Sequence, residues 1–208
     1  MRGNIKKTAG MLLSCAGFAV SAGAPAVYAA APAVDYELVG LWRSADTNEY
    51  AEFCADGMVY GMTETTMNGG GPEVYYQYKN SPEGTEIIFE YTANGEVIEI
   101  LGLQASYKIT GDTMFVQMDE HQGTLEKVFD FGDVDNDGEI NALDASAVLT
   151  EYAASATGGA LELDFIQTKA ADVNCDGAVD ALDASEILGY YAYKATGGSG
   201  CFAEYYYG

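Results

Sequence analysis

Oxygen-bearing side chains recur at fixed intervals twice in this chain. In DVDNDGEINALD they are Asp133, Asp135, Asp137, Asn141 and Asp144. In DVNCDGAVDALD, thirty-nine residues later, they are Asp172, Asn174, Asp176, Asp180 and Asp183. These are the first, third, fifth, ninth and twelfth places of a twelve-residue loop. Gly138 and Gly177 hold the sixth place. Calcium is a hard cation that takes six to eight oxygens, and a short loop supplies them only by turning back sharply on itself. Glycine permits that turn because it has no Cβ. The backbone carbonyls of Glu139 and Ala178, at the seventh places, complete each set. Each loop brings four carboxylates and one Asn, so the charge count is matched. An Asp/Asn/Gly run can also be a solvated turn. Two copies in register, each leading into a helical pattern, favour the metal reading and predict two calcium ions.

The copying runs beyond the loops. Residues 133–159 align with 172–198 without a gap, and 16 of 27 positions are identical. The last ligand is Asp rather than the Glu of an ordinary EF-hand. KVFDFG before the first loop reads as a strand end, not as an incoming helix. A loop with only its outgoing helix, duplicated, resembles the dockerin family in its type I-like form. The resemblance rests on both loops, the apolar eighth places (Ile140, Val179), the closing Asp and the repeated helix. It covers about Phe131 to the C-terminus. It implies an all-α module of three helices and two EF-hand-like calcium loops. It also implies a partner, the cohesin module of a scaffoldin, and attachment to a cellulosome. Family recognition centres on the two residues before the last ligand, here Ala142-Leu143 and Ala181-Leu182. Many members carry Ser-Thr there, so Ala-Leu predicts an apolar contact and a different cohesin class. Leu149 and Leu188 extend the surface or belong to the core. Either half can then dock, with the module turned by half a rotation. The copies diverge at Thr150/Gly189 and Ala154/Tyr193, which sets the two faces apart.

Around this module the chain divides further. Residues 1–29 read as a secretory signal peptide. Arg2, Lys6 and Lys7 precede an apolar centre, Met11–Val20, and Val27-Tyr28-Ala29 is a small-residue cleavage site. Leu12-Leu13-Ser14-Cys15 has a faint lipoprotein look. The apolar residues after Cys15 favour simple secretion over a polar tether. The apolar centre is too short to span a membrane. Residues 30–35 form a short N-terminal segment, 36–129 a β domain and 130–208 the calcium module.

Loss of Arg2, Lys6 and Lys7 takes the formal charge from −23 to −26, because all 32 acids follow them. So negative a surface argues against nucleic acid and anionic membranes. With 49% hydrophobic residues and 16 Tyr, the chain is not a disordered acidic tail. Cys54, Cys175 and Cys201 remain after the signal peptide. Cys175 and Cys201 are candidates for a bridge, and unbridged thiols are the alternative. No CxxC or Cys/His cluster suggests zinc.

In the β domain, Asp56-Gly57, Asn94-Gly95 and Gly111-Asp112 mark three hairpin turns between alternating segments. About eight strands follow, VYYQYK among them. They predict an antiparallel meander closed into a small barrel or tight sandwich, since closure removes exposed edges. Thr65–Pro72 is read as a flexible loop. Gly40-Leu41-Trp42 resembles the G-x-W that opens lipocalin-type barrels, which raises a ligand cavity. The alternative is that Trp42 plugs the barrel end.

No catalytic constellation stands out, and that favours a binding role. His121, the only histidine, sits in a DEHQG stretch read as a turn. Glu64, Glu90 and Glu96 are the carboxylates a glycosidase pair would draw on; the other reading is a solvated face. Tyr76 and Tyr78 share a strand face beside Tyr75 and offer rings to a sugar. Three rivals to a pure adaptor stay open. They are a carbohydrate-binding cargo, a small glycoside hydrolase or inhibitor serving polysaccharide degradation, and a calcium module unrelated to cohesin.

Overall fold

The computed structural model of the protein describes residues 34–47, 49–63 and 88–208. The signal-peptide reading, Glu64, the Thr65–Pro72 loop and the strand carrying Tyr75, Tyr76 and Tyr78 lie outside the described residues. The chain divides into two compact units, with the boundary between Val128 and Phe129.

The first unit is a closed antiparallel barrel in which each strand neighbours the next. Its strands are β1 (Gly40–Ser44), β2 (Glu49–Phe53), β3 (Met58–Thr63), β4 (Ile88–Ala93), β5 (Val97–Ile100), β6 (Leu103–Thr110), β7 (Thr113–Met118) and β8 (His121–Phe129). Alternation builds the interior. On β7, Met114, Val116 and Met118 are buried while their neighbours are exposed. They join Phe53, Ile98 and Leu125 in one core. Closure is made at β1 and β8. The Ala45 amide donates to the Thr124 carbonyl at 2.9 Å, and Arg43 pairs with Glu126 at 2.9 Å on the surface.

Trp42 is 0% exposed and its indole N–H donates to the Leu38 carbonyl at 2.7 Å. It plugs the barrel, with the Lys127 ammonium 5.5 Å from its ring. Side chains fill the interior, as an eight-stranded barrel allows. Among the described residues a cavity of about 20 Å³ remains, room for about one water. It is lined by apolar groups such as Phe53, Val59, Met114 and Leu125.

Two strand limits differ from the sequence expectation. The alternation after Asn94-Gly95 predicts a single strand over EVIEILGL, but Leu101 and Gly102 take positive φ of 55° and 77° and turn the chain between β5 and β6. His121 opens β8, paired with Met118, and the turn lies before it, where Asp119 has φ 53°.

Among the described residues the second unit has four helices: α1 (Ala142–Thr157), α2 (Phe165–Ala171), α3 (Ala181–Ala195) and α4 (Phe202–Tyr207). The fourth, in the aromatic tail, exceeds the three expected. Helices α1 and α3 pack through equivalent residues of the two copies. Ala145 and Val148 are buried on α1, Ala184 and Ile187 on α3. Leu161 stands in LELDFIQTKAA, whose pattern predicts one middle helix with Leu161, Phe165 and Ile166 on a shared face. It precedes α2 and is 61% exposed, and the buried residues of α2 are Thr168, Lys169, Ala170 and Ala171. The reason is local: Asp164 caps α2, accepting from the Gln167 amide, so the helix starts after Leu161.

Candidate metal loops and docking faces

Both acidic stretches fold into the same loop. In the first, Asp133 accepts from the amides of Asp137 (3.1 Å) and Gly138 (3.0 Å). In the second, Asp172 accepts from Asp176 (3.1 Å) and Gly177 (3.2 Å). The fifth-place Asp137 accepts from the Glu139 amide at 2.8 Å, and Asp176 accepts from Ala178 at 2.9 Å. The turn at the sixth place needs φ of 87° at Gly138 and 93° at Gly177. The fourth place is left-handed too, at Asn136 (57°) and Cys175 (58°). Sequence reading had placed only the glycines there. Asn tolerates this conformation far better than Cys.

The twelfth residue joins loop to helix. Asp144, 0% exposed, accepts from the amides of Val134 (2.8 Å) and Asp135 (3.3 Å) with one oxygen. Its other oxygen accepts from Asn141 at 2.8 Å. Asp183, also 0% exposed, does the same with Val173 (3.0 Å), Asn174 (3.4 Å) and Asp180 (2.9 Å). Asn141 and Asp180 are the helix N-caps, accepting from Leu143 and Leu182 at 2.7 Å each. The pair forms a capping box at each helix start. One residue therefore closes the loop and starts the helix.

The electrostatics are those of a site short of positive charge. The carboxylates of Asp133, Asp135 and Asp137 bring oxygens within 4.8 Å of one another. In the second loop the middle of the three is the carboxamide of Asn174, which donates to Asp176 at 3.1 Å. Burial raises the pKa of Asp133. The Gly138 and Asp137 amides oppose that rise, and the charges of Asp144 and Asp135 add to it. Burial, then the charges of Asp144 and Asp137, raise Asp135 as well. Asp183 is pushed up to about 6, mainly by burial, with Asp172 and Asp176 adding repulsion against the Asp180 and Asn174 amides. Converging, partly desolvated carboxylates of one sign are what a divalent cation neutralises. The donors are all oxygen, which fits a hard ion such as calcium. The Glu139 carbonyl accepts from the Asn141 carboxamide at 3.2 Å.

The residues expected to meet a partner lie in the open. Ala142 and Ala181 are exposed. Leu143 and Leu182 are 66% and 61% exposed, and Leu149 and Leu188 are 44% and 42%. Leu149 and Leu188 are thus surface, not core. Tyr152 and Tyr191 join them at 44% and 46%. Sequence reading missed both. The signal was present, since they are identical residues at equivalent places, but their outward direction depends on how the helices pack.

Two of the carboxylates named for a glycosidase pair fall within the described residues. Glu90 is exposed on β4 and Glu96 is exposed in the β4–β5 turn. Among the described residues no disulfide forms, and Cys54, Cys175 and Cys201 are thiols. Among the described residues no helix is long and apolar enough to cross a membrane.

The aromatic tail FAEYYYG folds back onto the module. Phe202 of α4 lies beside Gly132, just before the first loop. Tyr207 donates to the Val173 carbonyl of the second loop at 3.0 Å.

Residues 131–190 match the family model of the dockerin type I domain. No curated protein matches the chain. A dockerin domain implies calcium binding and attachment to a cohesin.

Proposed function

We propose, from the dockerin domain over residues 131–190, that this is a secreted cellulosome component whose helical unit binds a scaffoldin cohesin in the presence of calcium and carries the β-barrel as cargo. Asp133, Asp135, Asp137, Asn141, Asp144 and the Glu139 carbonyl would hold one ion. Asp172, Asn174, Asp176, Asp180, Asp183 and the Ala178 carbonyl would hold a second. The ion supplies positive charge to each loop. Four carboxylates that repel one another then hold the loop closed, and metal binding becomes folding free energy.

The observation that carries the reading is the position of Leu143 and Leu182. Each precedes the buried Asp that closes its loop, and each is more than 60% exposed in the first turn of its helix. An apolar side chain so placed, twice, suits a protein partner whose grip depends on the loop being closed. The barrel's chemistry stays outside this proposal, which takes it as cargo alone. A pull-down of the full chain against a panel of cohesin modules tests the reading. Capture is expected in calcium and lost in EDTA. Failure of every cohesin in calcium would sink it.

A further inference from the structure

The two docking faces come from copied sequence, but the chain leaves them by different routes. On α1, Glu151 is buried and accepts from the amides of Glu162 (2.9 Å) and Leu163 (3.3 Å), in the segment that leaves the helix. On α3, the equivalent residue is Tyr190, whose hydroxyl donates to the Gly200 carbonyl at 3.0 Å. Tyr193 stands where the first copy has Ala154. Its hydroxyl accepts from the amides of Ser199 (3.3 Å) and Gly200 (3.4 Å). A Cβ on Gly198 would meet the Tyr193 ring at 2.3 Å, so only glycine lets the chain cross that ring. The two tyrosines thereby steer the chain into α4.

Helix α4 then returns to α3. The Tyr205 ring packs against Tyr193 and Tyr190, with centroids 5.1 and 5.6 Å apart. Its hydroxyl lies 2.7 Å from where a Cβ on Gly189 would sit. Gly189 is half-buried, whereas its counterpart Thr150 is exposed. Both lie one residue beyond the exposed leucines Leu188 and Leu149, so Tyr205 stands at the edge of the α3 face. Among the described residues the α1 face has no such border at Thr150. The divergence at Thr150/Gly189 and Ala154/Tyr193 thus has one physical cause, the docking of α4.

We infer that α4 makes the two faces unequal. The α1 face, with Leu143, Leu149 and Tyr152, is the one that docks the cohesin, and Tyr205 restricts access to the α3 face. This inference rests on the cohesin-binding reading.

The test uses the full chain in calcium and the tightest-binding cohesin of a recombinant panel, with affinity read by calorimetry. Leu143→Asp disables the α1 face and is expected to weaken binding by at least about tenfold. Leu182→Asp disables the α3 face and is expected to change it by less than about twofold. Adding Tyr205→Ala to Leu143→Asp is expected to recover about tenfold by opening the α3 face. Equal losses in the two single variants, or a larger loss in Leu182→Asp, would overturn the inference and leave the docking reading standing. Absence of binding by the unmodified chain would overturn both. Far-UV circular dichroism in calcium checks that α4 survives Tyr205→Ala. If it does not, the comparison of the two leucine variants decides alone.

Discussion

Glu151 and Tyr190 occupy the same place in the two copies, and each pins the chain that leaves its own helix. Glu151 does so as an acceptor, taking the amides of Glu162 and Leu163. Tyr190 does so as a donor, giving its hydroxyl to the Gly200 carbonyl. The backbone job is shared although the chemistry is opposite. A duplicated module can therefore diverge at one position and still end both helices in fixed directions.

Glu151→Ala leaves the amides of Glu162 and Leu163 without their charged acceptor at a part-buried site. It should lower the stability of the helical unit by about 1–3 kcal/mol. Glu151→Gln keeps an acceptor oxygen and should cost less. Tyr190→Phe removes one hydroxyl and should cost about 0.5–1.5 kcal/mol. Urea denaturation of the calcium-loaded chain, followed by far-UV circular dichroism, ranks the three. Glu151→Gln as damaging as Glu151→Ala would show that charge, not hydrogen bonding, holds the segment.

The calcium count can be read loop by loop. Calorimetric titration of the unmodified chain should give two ions. Asp144→Ala removes an acceptor of three amides and a proposed ligand at once, so it should leave one site. Asp183→Ala should leave the other. Two sites remaining in either variant would refute the ligand assignment for that loop.

Acid should act in opposite directions on the metal-free and calcium-loaded forms. The Asp183 carboxyl is raised to about 6 in the folded chain, above its ordinary value near 4. Between those values the folded state holds more protons than the unfolded state. Stability of the metal-free form should therefore fall as pH rises from about 4 to 6, and this group adds no further loss above that. In calcium the proton competes with the ion, so affinity should rise over the same window. Melting temperatures in EDTA and in calcium at pH 4.5, 5.5 and 7 would reveal the crossing. A metal-free melting temperature that rises with pH would contradict it.

In the barrel, Trp42→Ala should cost about 3–5 kcal/mol, because it empties a fully buried site. It also deprives the Leu38 carbonyl of its donor. Trp42→Phe should cost less, since the ring still fills most of the space. Chemical denaturation followed by far-UV circular dichroism checks both. A near-neutral Trp42→Ala would mean that the plug is dispensable to the barrel.

The local rules were legible in the chain itself. Oxygen side chains at fixed offsets, glycines at the sixth places and a gapless second copy specified two matching acidic loops and the helices that follow. Alternation and turn dipeptides specified an antiparallel meander closing as a barrel or a sandwich, and the tertiary structure made it a barrel. These features depend on neighbours within about a dozen residues, where side-chain type and backbone conformation are directly linked. Tertiary packing decided what no short window contains. It turned Tyr152 and Tyr191 outward, buried Glu151 against a segment eleven residues away, and broke β5 from β6 at a left-handed leucine. It also laid Tyr205 over Gly189, because the space beside a glycine is claimed only when another helix arrives to fill it.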